Sequence, residues 1–304
     1  MKKAFIELHI SIILAGWTGI FGKLLTLSAG LLVFWRIAIA GVCLWIWATL
    51  AKKLEPVPFK DRIAVMLVGA LLALQWVLFY GSIKASNVSI GVVAFSSVGF
   101  FTAILEPLMN GRRISIRELL FSCVTVAGIS LIFHFDTQYR FGIMLGLASA
   151  AASALLAIYF KRFRAKYSSV TVRSWQLLGG FVFSALALPV YTALMPPEPF
   201  FPGWPDIIYL PIFAVFCTLF MYILQIQALE HISAFTVNLS YNLEPVYSII
   251  LAMILFGEAR DLGPSFYAGV GLIALSVALQ TASVMRERRK VARLQTKTAA
   301  KAAD

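Results

Sequence analysis

Ten long apolar stretches, separated by short charged loops, account for nearly all of this 304-residue chain. They run approximately from Leu8 to Leu25, Leu31 to Leu50, Ile63 to Ser82, Val88 to Leu108 and Leu119 to Phe133. The other five run from Phe141 to Phe160, Ser174 to Leu194, Ile207 to Ala228, Ala234 to Phe256 and Gly263 to Met285. A helix needs about 20 mostly apolar residues to cross a bilayer core. Lipid cannot satisfy free N–H and C=O groups, so only helices and closed barrels survive there. These runs lack the alternation of a barrel strand. The chain reads as an all-α polytopic membrane protein with ten transmembrane helices. Only 13% of its residues are charged, against about 25% in soluble domains, and the loops leave no room for a soluble domain of ordinary size.

The formal charge of +12 is loop charge that sets orientation rather than a nucleic-acid surface. Lys and Arg fall on alternate sides of the spans. The N-terminus, the second, fourth and sixth loops and the C-terminal tail carry 21 of the 26, including Arg173 beside the seventh span. The other side has Lys23, Lys84, Arg140 and Arg260, and Arg36 lies within the second span. The positive-inside rule puts both termini in the cytoplasm, as an even number of spans requires. The seventh loop, Pro196 to Pro205, has no Lys or Arg and is rich in Pro, Phe and Trp, which suits an external interface. The first span is read as a retained helix, because no small-residue cleavage site follows its apolar core. Cys43, Cys123 and Cys217 lie inside spans, and His9, His134 and His231 are far apart. No metal-ligand spacing is present, and no metal or cofactor is expected.

Ten spans divide into five and five. A five-span unit starts and ends on opposite sides, so a second copy is inverted relative to the first, an architecture of secondary transporters. The units are 1–137 and 138–285, followed by a basic cytoplasmic tail at 286–304. Pairing Gly111 with Gly257 aligns the ends of the fourth and ninth spans and sets Gly99 opposite Pro245. A rival register pairs Glu106-Pro107 with Glu244-Pro245; the first is preferred because it aligns both helix ends.

Together these features resemble the EamA branch of the drug/metabolite transporter superfamily. The residues that carry the resemblance are Gly16-Trp17 through Gly22-Lys23, Arg36 to Ala40, Glu244-Pro245-Val246-Tyr247, Leu255-Phe256-Gly257-Glu258, and Gly269 to Ser276. It covers about residues 5 to 285. The resemblance implies a ten-helix secondary transporter with both termini cytoplasmic, and by analogy with many bacterial members, an inner-membrane exporter of amino acids or other small metabolites. The first half departs from the pattern, with Gly99 where a proline is often found and Asn110-Gly111-Arg112 in place of a Gly-Glu ending. That leaves open whether the fourth span is broken.

Glu244 falls near the middle of the ninth span. A charge there costs roughly 3 kcal/mol unless paired, hydrated or protonated, so Glu244 is a candidate for proton coupling, with Arg36 its candidate ion-pair partner. The alternative for Arg36 is snorkelling to the external interface. Pro245 lacks an N–H and should kink the helix at Tyr241. Asn238, Tyr241, Asn242, Pro245 and Ser248 share one helical face, which must turn toward protein or water. Tyr222 and Gln225 form a second such face, and Gln75, Trp76, Phe79 and Tyr80 a third, with Ser96 and Ser97 mid-span on the fourth helix and Trp17 a gate or a packing residue. The set is expected to line a cavity for a small amphipathic solute, whereas any one of them taken singly is better read as an interhelical hydrogen bond. Glu258 and Arg260 read as an external loop pair. Gly142, Gly146, Ala150 and Ala154 form a small-residue face for close helix approach. No His-Glu-x-x-His pair, nucleophile elbow or filter sequence points to an enzyme or a channel. Proton-coupled export and an uncoupled permease both fit, and the sequence does not fix the oligomeric state.

Overall fold

The computed structural model describes residues 2–111, 113–194, 200–231, 237, 240–279, 281–282 and 285. Among these residues there are helices and turns but no strand. The α-helices are α1 (Lys2–Leu24), α2 (Ala29–Leu50), α3 (Phe59–Ala85), α4 (Val88–Phe95), α5 (Val98–Met109) and α6 (Ile116–Phe135). They continue as α7 (Arg140–Arg164), α8 (Ser169–Leu194), α9 (Asp206–Ala214), α10 (Met221–His231), α11 (Glu244–Phe256) and α12 (Pro264–Leu279). A π-helical turn, Val215–Phe220, joins α9 to α10.

Seven stretches are long and apolar enough to cross a membrane, counting α4–α5 and α9–α10 as one each. Leu119–Phe135 within α6, together with α11 and α12, are shorter apolar helices. Large apolar side chains such as Ile46, Leu67, Leu186, Val190 and Ile254 stand exposed on the outside of the bundle. A surface of this kind is suited to lipid rather than water. The tail at 286–304 lies outside the described residues, as does Asn238.

Loop-to-loop bonds sort the helix ends into two faces. On one, Thr26 bonds Asp206, Lys84 Nζ donates to the Leu25 carbonyl, Lys23 bonds Glu258, and Ser265 bonds Asp136. On the other, Tyr167 bonds Asp61, the Ser168 N–H donates to Glu55, and Lys161 bonds Glu106. Each bond joins loops that the alternation of spans puts on the same side. Phe200 of the seventh loop belongs to the first face, where its carbonyl accepts from Trp35 Nε1 at 3.2 Å.

The fourth span is broken, and no proline breaks it. α4 stops at Phe95 and α5 starts at Val98, with Ser96 and Ser97 in turn conformation between them. Both hydroxyls turn back on the helix before them, Ser96 to the Val92 carbonyl at 3.0 Å and Ser97 to that of Ala94 at 2.8 Å. Such back-bonding bends helices. In the second half a 3-10 turn, Tyr241–Leu243, precedes α11. The register that pairs Gly111 with Gly257 pairs Ser96 and Ser97 with Asn242 and Leu243, so the two breaks coincide.

Helix packing exchanges between the halves. α3 packs on α7 as α10 packs on α1, and α4 and α5 pack on α7 as α11 packs on α1. The small-residue face of α7 is buried in this contact, with Gly142 against Ser82 and Ser86, and Gly146 against Ala94. Ser82 Oγ donates to the Gly142 carbonyl at 2.6 Å. Among the described glycines the tightest approach is at the crossing of α3 on α8. There Gly69 faces the backbone of Gln176 and Gly179 that of Met66, with no room for a Cβ on either.

Candidate functional site

Arg36 sits at the centre of the bundle rather than at its edge. It is 2% exposed. Its Nε donates to Thr218 Oγ1 at 2.9 Å, its Nη2 to the Cys217 carbonyl at 3.2 Å and its Nη1 to the Tyr80 hydroxyl. The guanidinium carbon lies 3.8 Å from the Trp76 ring centre and 4.2 Å from that of Phe213. Thr218 and Cys217 belong to the π-helical turn, a local widening that recurs at functional sites. Neither earlier reading of Arg36 holds: burial excludes snorkelling, and no ion pair with Glu244 is present among the described residues. The cation is instead satisfied by neutral acceptors and ring faces.

Glu258 does not pair with Arg260. It is 1% exposed and accepts four hydrogen bonds. Lys23 Nζ donates to Oε1 at 2.9 Å, and so does the Val88 N–H at 3.0 Å. The Ser89 N–H at 2.9 Å and its hydroxyl at 2.6 Å both reach Oε2. The next free N–H of α4, that of Ile90, goes to Asn87 Oδ1 at 2.8 Å. An acidic group from the end of α11 thus closes the N-terminus of α4, where free N–H groups and the helix dipole favour an anion. Burial alone would raise the Glu258 carboxyl; the Ser89, Lys23 and Val88 donors outweigh it and hold it below the usual Glu range.

The opposite face has a cavity of about 710 Å³, running between α5, α7, α8 and α10. Its lining includes the exposed Lys161 and Arg164 and the part-buried Glu106, Thr102, Ser153, Arg173, Tyr222 and Gln225. Lys161 and Glu106 form an ion pair at 2.7 Å. Of the residues expected to line a cavity, Tyr222 and Gln225 do so. Arg173, counted in the sequence only as loop charge, lines it too.

The other expected residues are spent elsewhere. Gln75 Nε2 donates to Ser149 Oγ at 3.0 Å, and the backbone carbonyl of Gln75 accepts from the same hydroxyl. Trp76 and Tyr80 hold Arg36, and Ser96 bonds its own helix. Trp17 packs near Phe21, ring centres 6.1 Å apart. Tyr241 donates to Ser11 Oγ at 3.1 Å. The side chain of Asn242 lies outside the described residues. Pro245 does not kink a continuous helix; it occupies the first turn of α11, where no N–H is required. Glu244 opens that helix, half-buried; its backbone N–H donates to the Tyr241 carbonyl, and its carboxyl has no hydrogen bond or ion pair to any described residue. It lies within electrostatic reach of both Tyr80 and Tyr241, and so does Tyr222.

Bundle, lipid-suited exterior and exchanged packing define a polytopic helical membrane protein built from two tandem units. The signature of the EamA-like transporter family matches the chain twice, at residues 3–134 and 140–282, and the protein belongs to that family. It is thus a multi-pass membrane protein of a family that transports small solutes and does not consist of enzymes. Twenty chains of solved structures match. One crystal structure is 18% identical, covers 94% of this chain and 99% of its own, and superposes with a TM-score of 0.61, a likeness of fold. None of the curated proteins matches in sequence.

Proposed function

We propose that this protein exports small metabolites, amino acids or related zwitterionic and amphipathic solutes first among them, by alternating access. In this reading ten spans form two inverted five-helix units, residues 1–137 and 138–285, in the inner membrane of a bacterial cell with both termini cytoplasmic. The cavity faces the cytoplasm, beside the Lys- and Arg-rich loops, and the Glu258 latch closes the external side. Rocking of the units would release the Glu258 contacts and close the cavity. The two helix breaks, Ser96–Ser97 and Tyr241–Leu243, give each unit a place to bend.

The observation that carries this reading is the asymmetry between the ends: a cavity with a mixed apolar and charged lining at one, and at the other a buried carboxylate holding Lys23 and the start of α4. A pathway blocked at one end only is what a single state of an alternating-access cycle requires. Glu244, at the start of α11 and with no hydrogen-bond or ion-pair partner for its carboxyl among the described residues, is the candidate proton carrier. Purified protein in liposomes, tested for counterflow of labelled amino acids with and without a pH gradient, tests the proposal. Gradient-driven accumulation lost in Glu244→Gln supports coupling. A rate indifferent to the gradient assigns the uncoupled permease, and no movement of any metabolite class refutes transport of these solutes.

A further inference from the structure

Arg173 is the fifth residue of α8 and lies inside the cavity, half-buried. Its guanidinium carbon lies 4.5 Å from the ring centre of Phe160 and 4.3 Å from that of Tyr222. Cation–ring contact of this kind holds a guanidinium in place, while a ring face offers no acceptor to its N–H groups. Among the described residues none accepts a hydrogen bond from Arg173. The other cations of this region are differently engaged. Lys161 is paired with Glu106 at 2.7 Å, Arg162 donates to the Met109 carbonyl at 2.7 Å, and Arg164 is exposed. Arg36 is sealed in the core and gives a donor from each of its three nitrogens to Thr218, Tyr80 and Cys217. Arg173 is therefore a fixed, planar donor fork facing a space large enough for a small solute.

We propose that Arg173 binds a carboxylate of the transported solute. This rests on reading the cavity as the solute pathway. Two parallel N–H groups of a guanidinium match the two oxygens of a carboxylate. The pairing of Lys161 with Glu106 leaves one fork unspent, which fits a monoanionic group better than a phosphate dianion. Tyr222 beside it, with Leu156 and Ile226 of the same lining, offers aromatic and apolar surface, and Gln225 an amide. The solute class is a small organic carboxylate with an apolar or aromatic body.

The test uses acid–amide pairs: the twenty amino acids with their carboxamides, and benzoate with benzamide, offered to wild-type protein in liposomes. The acid member of at least one pair should show saturable counterflow, and its amide should bind about tenfold or more weakly, as loss of one charge-assisted fork implies. Arg173→Lys keeps the charge but loses the fork, so KM for that acid should rise about tenfold with kcat little changed, and Arg173→Gln should raise it further. Tyr222→Leu leaves the arginine but removes a ring that holds it, and should raise KM by a smaller factor. Thermal stabilisation of detergent-purified wild type by the acid and not the amide reads the same preference with no variant at all. Equal handling of acid and amide, or wild-type KM in both Arg173 variants, overturns the proposal and leaves transport standing. If no probe moves or binds, the reading of the cavity falls and the proposal with it.

Discussion

Lys23 and Glu258 meet at 2.9 Å between the last turn of α1 and the end of α11, tying the first helix of one half to the other half. The carboxylate also bonds the first two N–H groups of α4, so three helices converge on two oxygens. This joint is the candidate external latch. Its properties can be separated from those of the cavity, which lies at the other end of the bundle.

Glu258→Gln should weaken the latch without emptying the space it fills. The amide keeps one acceptor but turns a donor toward N–H groups. A buried polar group left unsatisfied costs about 1–3 kcal/mol. Thermal unfolding in detergent should fall accordingly. The pH dependence has a definite sign. Glu258 titrates below its ordinary value, so its stabilisation is fully present above the unfolded Glu range, near about 4.3, and is lost as pH falls through the lower folded value. Wild type should lose stability along that acid limb more steeply than Glu258→Gln.

Thr218 accepts from Arg36 Nε inside the π-helical turn. Thr218→Val keeps the branched shape and removes the acceptor, stranding an N–H of a buried cation. Loss of about 1–3 kcal/mol is expected, read as a lower unfolding temperature. Arg36→Lys should destabilise as well, since one ammonium cannot reproduce a fork spread over Thr218, Cys217 and Tyr80. An unfolding temperature unchanged in both variants would show that Arg36 is not held by these bonds.

Hydropathy made the helices legible, because a run of twenty apolar residues has few other fates. Rotation about each helix axis was not legible. A helix apolar all round has no face marked for the core, so Gln75, Trp76 and Tyr80 could be grouped by spacing but not aimed. The structure turns Gln75 toward Ser149, and Trp76 and Tyr80 toward Arg36. Arg173 was hidden for a related reason: beside four other basic residues of the sixth loop it read as topological charge. The partner of Glu258 lies 169 residues away at Ser89, beyond any local pattern. The break at Ser96–Ser97 carries no proline and left no mark stronger than two adjacent serines.

The α3–α8 crossing yields a sharp contrast between glycines. At Gly179 a methyl group would meet the backbone of Met66, and at Gly69 that of Gln176. Backbone cannot swing aside as a side chain can, so Gly179→Ala and Gly69→Ala must separate the helices. Overpacking of this kind costs about 1–3 kcal/mol or more. Gly41→Ala is the control: its nearest neighbour would be Leu177 Cβ at 3.7 Å, an ordinary contact. Melting curves should rank Gly41→Ala close to wild type and both other variants well below it.

Gly111 and Gly257 test the repeat itself. Both follow the matched helix ends, and both have positive φ, +61° and +66°. Nothing lies within 4 Å of a Cβ built on either, so substitution brings backbone strain and no clash. The left-handed conformation costs an ordinary L residue about 1–2 kcal/mol, and Asn tolerates it better. Alanine at either position should therefore destabilise by a similar amount, and asparagine by less. Transport should divide them. Gly257 leads directly into Glu258, so strain there shifts the carboxylate that holds Lys23 and α4, whereas Gly111 has no such neighbour among the described residues. Gly257→Ala should change the transport rate more than Gly111→Ala at matched loss of stability. Equal rates in the two would mean that the Glu258 joint does not take part in the cycle.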